Sequence, residues 1–130
     1  MALVPTLTLT DSTTFSDVIN FTLTDSLTVT APAKSLSLQI ATATGGDNII
    51  VAAGTAIVYL FVRHTGTTDG STATSQLVDI EDTDDVAFAR LGPGEFLFMP
   101  WNKAGASKGV QLQVAHASSV QMEYAYWTKG

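Results

Sequence analysis

Apolar and polar residues alternate along most of this chain. Leu7 and Leu9 alternate with Thr6, Thr8 and Thr10, and Phe21 and Leu23 with Thr22 and Thr24. Leu27 and Val29 alternate with Thr28 and Thr30, and Leu36, Leu38 and Ile40 with Ser35, Ser37 and Gln39. Near the end, Val110, Leu112 and Val114 alternate with Gln111 and Gln113. Val120, Met122, Tyr124 and Tyr126 then alternate with Gln121, Glu123 and Ala125. A period of two places one set on a core face and the other toward solvent. Thr suits the outer set because its branched Cβ fits a pleated strand.

Turn-forming clusters separate these runs: 44–48, 65–71, Gly92-Pro93-Gly94 and 103–109. No stretch has a 3.6-residue apolar period with caps. The expectation is an all-β domain of about nine or ten short strands, a two-sheet antiparallel β-sandwich of jelly-roll type. Leu7-Thr8-Leu9-Thr10-Asp11-Ser12 is echoed as Phe21-Thr22-Leu23-Thr24-Asp25-Ser26. Two copies are too few for a repeat architecture, so they read as two strands, each ending in an Asp-Ser turn. Residues 1–33 are Thr-rich and free of basic residues, and Ala31-Pro32-Ala33 divides them from the rest. They read as an extended arm or as a pair of edge strands, with 34–130 as the sandwich body.

Two segments break the alternation. From Ile57 to Val62 and from Phe96 to Trp101 every residue is apolar. In the first, Ile57, Tyr59 and Phe61 oppose Val58, Leu60 and Val62. In the second, Phe96, Phe98 and Pro100 oppose Leu97, Met99 and Trp101. A sandwich strand has one wet side, so the second apolar side needs a cover. A long loop or another subunit supplies it. Val58, Leu60, Val62, Leu97, Met99 and Trp101, together with Trp127, are the candidate interface.

Composition narrows the function. The chain has 130 residues, a net charge of −6 and a pI near 4.5. Only six residues are Lys or Arg, none before Lys34, which argues against nucleic-acid and anionic-membrane partners. Cysteine is absent, which excludes disulfides, thiol catalysis and Cys-type zinc sites. The opening Met-Ala-Leu-Val-Pro has no basic stretch of signal-peptide type. The uncharged run from Ile49 to Val62 is too short for a spanning helix, which needs about 20 residues. Charged residues make up 14%, against about 25% in an average soluble domain. Thr, Ser, Ala and Gln must therefore cover much of the surface, and such a surface repels neighbours weakly.

Candidate chemistry is sparse. His64 and His116 are far apart and lack a ligand-spaced partner, so structural roles are expected. Asp79, Glu81, Asp82, Asp84 and Asp85 form the one dense acidic run. It reads as a solvated hairpin turn, with calcium binding as the other possibility, although the order of a calcium loop is missing. Glu95 and Glu123 have no sequence relation that would pair them as glycosidase carboxylates. There is no G-x-S-x-G elbow, and Gly92-Pro93-Gly94 is a turn and not a phosphate loop. Asn20-Phe21-Thr22 matches a glycosylation acceptor, which matters only on secretion. Trp101 and Trp127 are candidates for stacking on a sugar or anchoring a protein contact. The expectation is no enzyme, no cofactor and no bound metal.

The stretch from Val58 to Trp127 resembles small β-sandwich structural proteins of tailed double-stranded DNA bacteriophages, of the marine and cyanobacterial type. Three parts carry the resemblance: the apolar strand 56–63, the run from Phe88 through Leu91-Gly92-Pro93-Gly94-Glu95 to Trp101, and the terminal pair 110–115 and 120–127. It implies a virion part assembled in the host cytoplasm, with no catalytic residues. The expected role is a capsid decoration or cement protein. Its implied partners are further copies of itself, as a homotrimer by analogy with virion jelly rolls at threefold axes, and the major capsid protein or other virion proteins. The alternative is a tail or fibre module that binds cell-surface carbohydrate through Trp101 or Trp127.

Overall fold

A computed structural model describes residues 1–11, 20–43, 48–55, 57–102 and 108–130. The expected turns at 44–47 and 103–107, and the segment 12–19 that joins the two echoed strands, lie outside the described residues. Eleven strands and no helix occur among the described residues. They are β1 (Ala2–Leu3), β2 (Thr6–Thr10), β3 (Asn20–Thr24), β4 (Leu27–Ala41), β5 (Ile49–Val51), β6 (Val58–His64), β7 (Val78–Asp82), β8 (Ala87–Leu91), β9 (Phe96–Trp101), β10 (Val110–Val114) and β11 (Val120–Lys129).

Strands β4 to β11 make two layers. One is ordered β4-β11-β6-β9, with β1 added at the β4 edge, and the other β5-β10-β7-β8. The pairs β4·β11, β5·β10, β6·β9 and β7·β8 are all antiparallel. The chain is thus one long hairpin that turns back between β7 and β8. It is rolled so that successive pairs fall in alternate layers, which is jelly-roll winding. The all-β sandwich read from the alternation is the observed fold. Asp79, Glu81 and Asp82 of the acidic run lie in β7, with Glu81 and Asp82 buried and not solvated as expected, and the rest of the run makes the turn at the head of this hairpin. Asp82 Oδ1 accepts from the Asp84 and Val86 N–H groups at 3.0 and 3.1 Å, and Asp85 takes φ 62°. Asp tolerates that left-handed conformation better than most residues.

The core lies between the layers. Val58, Leu60 and Val62 from β6 meet Val78 and Ile80 from β7, Val110, Leu112 and Val114 from β10, and Val120 and Met122 from β11. Trp101 is buried at one end and stacks on Phe88 at 4.5 Å. Leu97 and Met99 pack against the same cluster. This corrects the candidate interface. Val58, Leu60, Val62 and Trp101 are core residues, and Leu97 and Met99 support them. In both doubly apolar strands the outward set is the other one.

β4 carries a second inversion. Leu36 and Leu38 are 60% and 59% exposed, and Ile40 is exposed too, while Ala41 is buried. Pairing with β11 decides this, because Gln39 lies opposite Met122 and Leu38 opposite Glu123. Shifting β4 by one residue against β11 would turn the leucines inward and Ser37 and Gln39 outward, while Met122 stayed in the core. β4 also runs unbroken through Ala31-Pro32-Ala33, so the expected division of arm from body at residue 33 falls inside a strand. Proline is accommodated there because the register shifts between Trp127 and Thr128, leaving Ala31 and Pro32 without β11 partners.

The assignment of faces is testable by denaturant unfolding. Leu60→Ala should cost about 2–5 kcal/mol, because it opens a cavity in the core. Phe96→Ala, on the outward side, should cost less than about 1 kcal/mol. Equal costs would contradict the assignment.

Candidate functional site

The two outer faces of the sandwich differ in kind. On the β5-β10-β7-β8 layer the outward residues are mostly polar, with Ile49 and Ala87 among them. Gln111 lies opposite Glu81, Gln113 opposite Asp79, and Asp79 opposite Arg90. Gln111 Nε2 donates to Glu81 Oε2 at 3.1 Å and to Asp85 Oδ1 at 2.7 Å. The Arg90 guanidinium donates to both oxygens of Asp79, at 2.5 and 3.1 Å. This contact raises the Arg90 pKa above its usual value, chiefly through the hydrogen bond.

The outer face of the five-stranded layer is apolar. Register aligns Ala125, Phe61 and Phe98 in one row across β11, β6 and β9, and Trp127, Tyr59 and Pro100 in the next. Tyr59 stacks on Phe98 at 6.2 Å, and Phe61 leans on Phe96 at 6.5 Å. The Lys129 ammonium lies 5.8 Å from the Tyr59 ring centre. Leu36, Leu38 and Ile40 extend the apolar surface across β4. One ion pair interrupts it, Arg63 with Glu123 at 3.7 Å. Phe96 remains 57% exposed. On β11, Gln121 and Glu123 separate Ile40 and Leu38 from the aromatic rows, in which Ala125 and Tyr59 are buried.

The ribbon β2–β3 stands over part of this face. Its register places Leu7 opposite Leu23 and Leu9 opposite Phe21. The threonines take the other side, where Thr6 pairs with Thr24 and Thr8 with Thr22 through hydroxyl hydrogen bonds of 3.1 Å. Strict alternation therefore gives the ribbon one threonine face and one apolar face. Pro5, Thr6 and Leu7 line a cleft of about 320 Å³ with Phe61, Phe96, Leu97 and Phe98. The residues expected to be an arm or edge strands are a ribbon, plus the short β1 pairing Leu3 with Leu27.

The remaining candidates resolve into structural roles or open surface. His64 is fully buried. Its Nδ1 accepts from the Gly66 N–H at 2.9 Å, so Nε2 carries the proton and donates to the Gln76 carbonyl at 2.8 Å. Both nitrogens are used to hold the loop after β6. His116 is exposed beside Asp79 and Arg90 in a polar notch of about 360 Å³. Glu95 accepts from the Gly92 N–H in the β8–β9 turn, whereas Glu123 lies in β11 against Arg63. The structure thus places these two carboxylates in separate contacts. Trp101 is buried, and its Nε1 has no hydrogen-bond partner among the described residues. Trp127 is half-buried in β11. No group of three or more His, Asp or Glu among the described residues is placed to hold a metal. The apolar outer set (Leu36, Leu38, Ile40, Phe61, Phe96 and Phe98) was not singled out as a surface from the sequence. The apolar composition of β6 and β9 was the available signal, without the parity needed to choose a face.

These features define a jelly-roll sandwich with one polar and one apolar outer face. No protein-family model, no curated protein and no solved structure matches the chain.

The loop after β6 carries its own local lock. Asp69 Oδ1 accepts from the Thr72 N–H at 2.8 Å and the Ser71 N–H at 3.0 Å. These bonds, with that from Thr72 leading, lower the Asp69 pKa to about 2 from 3.8. A carboxyl with a lowered folded-state pKa contributes stability that is present above its unfolded value and is lost as pH falls through about 2. The Asp69 carboxyl resonance should titrate with a midpoint near 2, and the Thr72 amide resonance should follow it. A midpoint near 3.8 would contradict the lock.

Proposed function

We propose that this chain is a non-enzymatic structural protein of a tailed-phage virion, a decoration or cement protein that stabilises the head through contacts between subunits. The observation that supports this reading best is the contrast between the two outer faces. A polar face suits solvent. An apolar face made of Leu, Phe, Tyr and Trp suits a protein neighbour, and burial favours it by about 25 cal/mol per Å² of apolar surface. The jelly roll agrees with it by analogy, since viral capsid domains use that winding among other functions. The low charged fraction, 14%, lets many copies crowd together without strong repulsion. The partners are further copies of the chain, as a trimer by the same analogy, and the shell beneath them.

A carbohydrate-binding role has less support. It would need exposed aromatics around a cleft with polar donors, yet Trp101 is buried and the cleft beside Phe98 is apolar.

The test uses purified protein and phage particles that lack it. Full-length protein should bind in many copies per particle and raise the temperature at which heads rupture. Binding in a few copies at the tail would overturn the proposal. So would saturable binding to cell-surface glycans that Trp127→Ala abolishes.

A further inference from the structure

The apolar face is half covered at home. The base of the ribbon, Pro5 and Leu7, sits over Phe61, Phe96 and Phe98, which leaves the β4 side open. The ribbon is open as well, with Leu9 and Phe21 at its outer part, and Leu23 opposite Leu7, largely exposed. A two-stranded ribbon is marginal by itself and needs a surface to lie against. One chain therefore holds two unsatisfied apolar surfaces of matching kind, a projecting ribbon and a flat sheet margin.

We infer that the exposed apolar side chains of each ribbon, Leu9, Phe21 and Leu23, pack on the Leu36, Leu38 and Ile40 stripe of a second copy of this chain. This rests on the reading that the apolar face meets protein, and it names the partner and the contact.

Three observations favour a second copy over another occupant. The first is area. These six side chains keep roughly half of their surface in water, so ribbon and stripe match at about 300 Å² each, and a copy that engages both in a closed ring buries about 600 Å² through them. The second is charge. Strands β2 and β3 contain no charged residue, and β4 from Ser35 to Ala41 contains none either. A strongly charged partner would find nothing to pair with, whereas two copies meet with no like charges along these strands despite a net −6 each. The third is the way the ribbon already sits. Leu7 faces the aromatic half of its own face across an apolar cleft, so this chain already sets apolar ribbon toward apolar sheet, and a neighbour's ribbon takes the vacant half. Because the ribbon and the stripe are different surfaces, the contact is heterologous, and it closes into a ring when the rotation allows.

The experiment measures mass in solution by light scattering and sedimentation on the full-length chain. One variant carries Leu9→Asp with Phe21→Asp, the other Leu36→Asp with Leu38→Asp. All four positions are exposed, so both variants should keep the wild-type circular dichroism and close to its unfolding midpoint. Wild type should self-associate at micromolar concentration. Each variant alone should be monomeric, with self-affinity weakened at least about a hundredfold. An equimolar mixture should form heterodimers, since one intact ribbon then meets one intact stripe. Wild type that stays monomeric at high micromolar concentration would overturn the inference, as would variants that self-associate like wild type or a mixture that stays monomeric. A monomer that still coats particles in many copies would overturn the inference and leave the proposed function standing. Self-association without particle binding would do the reverse.

Discussion

The pairing of β4 with β11 is the constraint on which this structure depends. It joins the first and last strands of the rolled hairpin and so closes the sandwich. β11 is fixed from its other side by seven residue pairs with β6, and Met122, opposite Gln39, is buried in the core. With β11 fixed, the register of β4 against it decides which side of β4 faces out. Its leucines face out, and Ser37 and Gln39 face the interior side. The apolar outer face is therefore a consequence of closing the roll in this register. Sequence and burial conflict locally at β4, and an external partner for Leu36 and Leu38 removes the conflict.

The same logic extends to the N-terminal segment. β1 adds to the β4 edge only at Leu27 and Thr28, which leaves the rest of that edge without a neighbouring strand among the described residues. Exposed edges are pairing sites unless they are blunted. The bulges opposite Tyr126 and Trp127, the proline at position 32 and Lys34 twist, interrupt and charge the first half of this edge. From Ser35 to Ala41 neither charge nor proline protects it. An extended edge beside an apolar stripe is a surface suited to specific protein contacts, with the backbone setting the register and the leucines adding apolar contact.

Much of the fold was legible. Alternating Thr-Leu and Gln-Val runs became β2, β3, β10 and β11 because side-chain period is a direct property of a strand. The end of the acidic run became a hairpin turn because Asp82 and Asp85 satisfy and adopt turn geometry locally, whereas Asp79, Glu81 and Asp82 lie in β7, with Glu81 and Asp82 buried and not solvated. His64 was read as structural, and both of its nitrogens are tied to backbone. What was not legible is parity. In β6 and β9 both faces are apolar, so composition could not say that Val58, Leu60 and Val62 face the core while Tyr59 and Phe61 face out. In β4 the pattern pointed the wrong way, because register set by long-range pairing overrode local alternation. Trp101 was a candidate for stacking on a sugar or anchoring a protein contact, but pairing with Val58 draws it inside.

In the proposed function, the outer face of the five-stranded layer is the surface that meets other proteins. Hydroxyl-radical footprinting of the isolated chain and of the chain bound on particles tests that claim most directly. Leu36, Leu38, Phe96 and Phe98 should lose reactivity on assembly, while Ile49, Leu77 and Val86, exposed outside the apolar face, keep theirs. Unchanged reactivity at the first four with protection at the last three would contradict it.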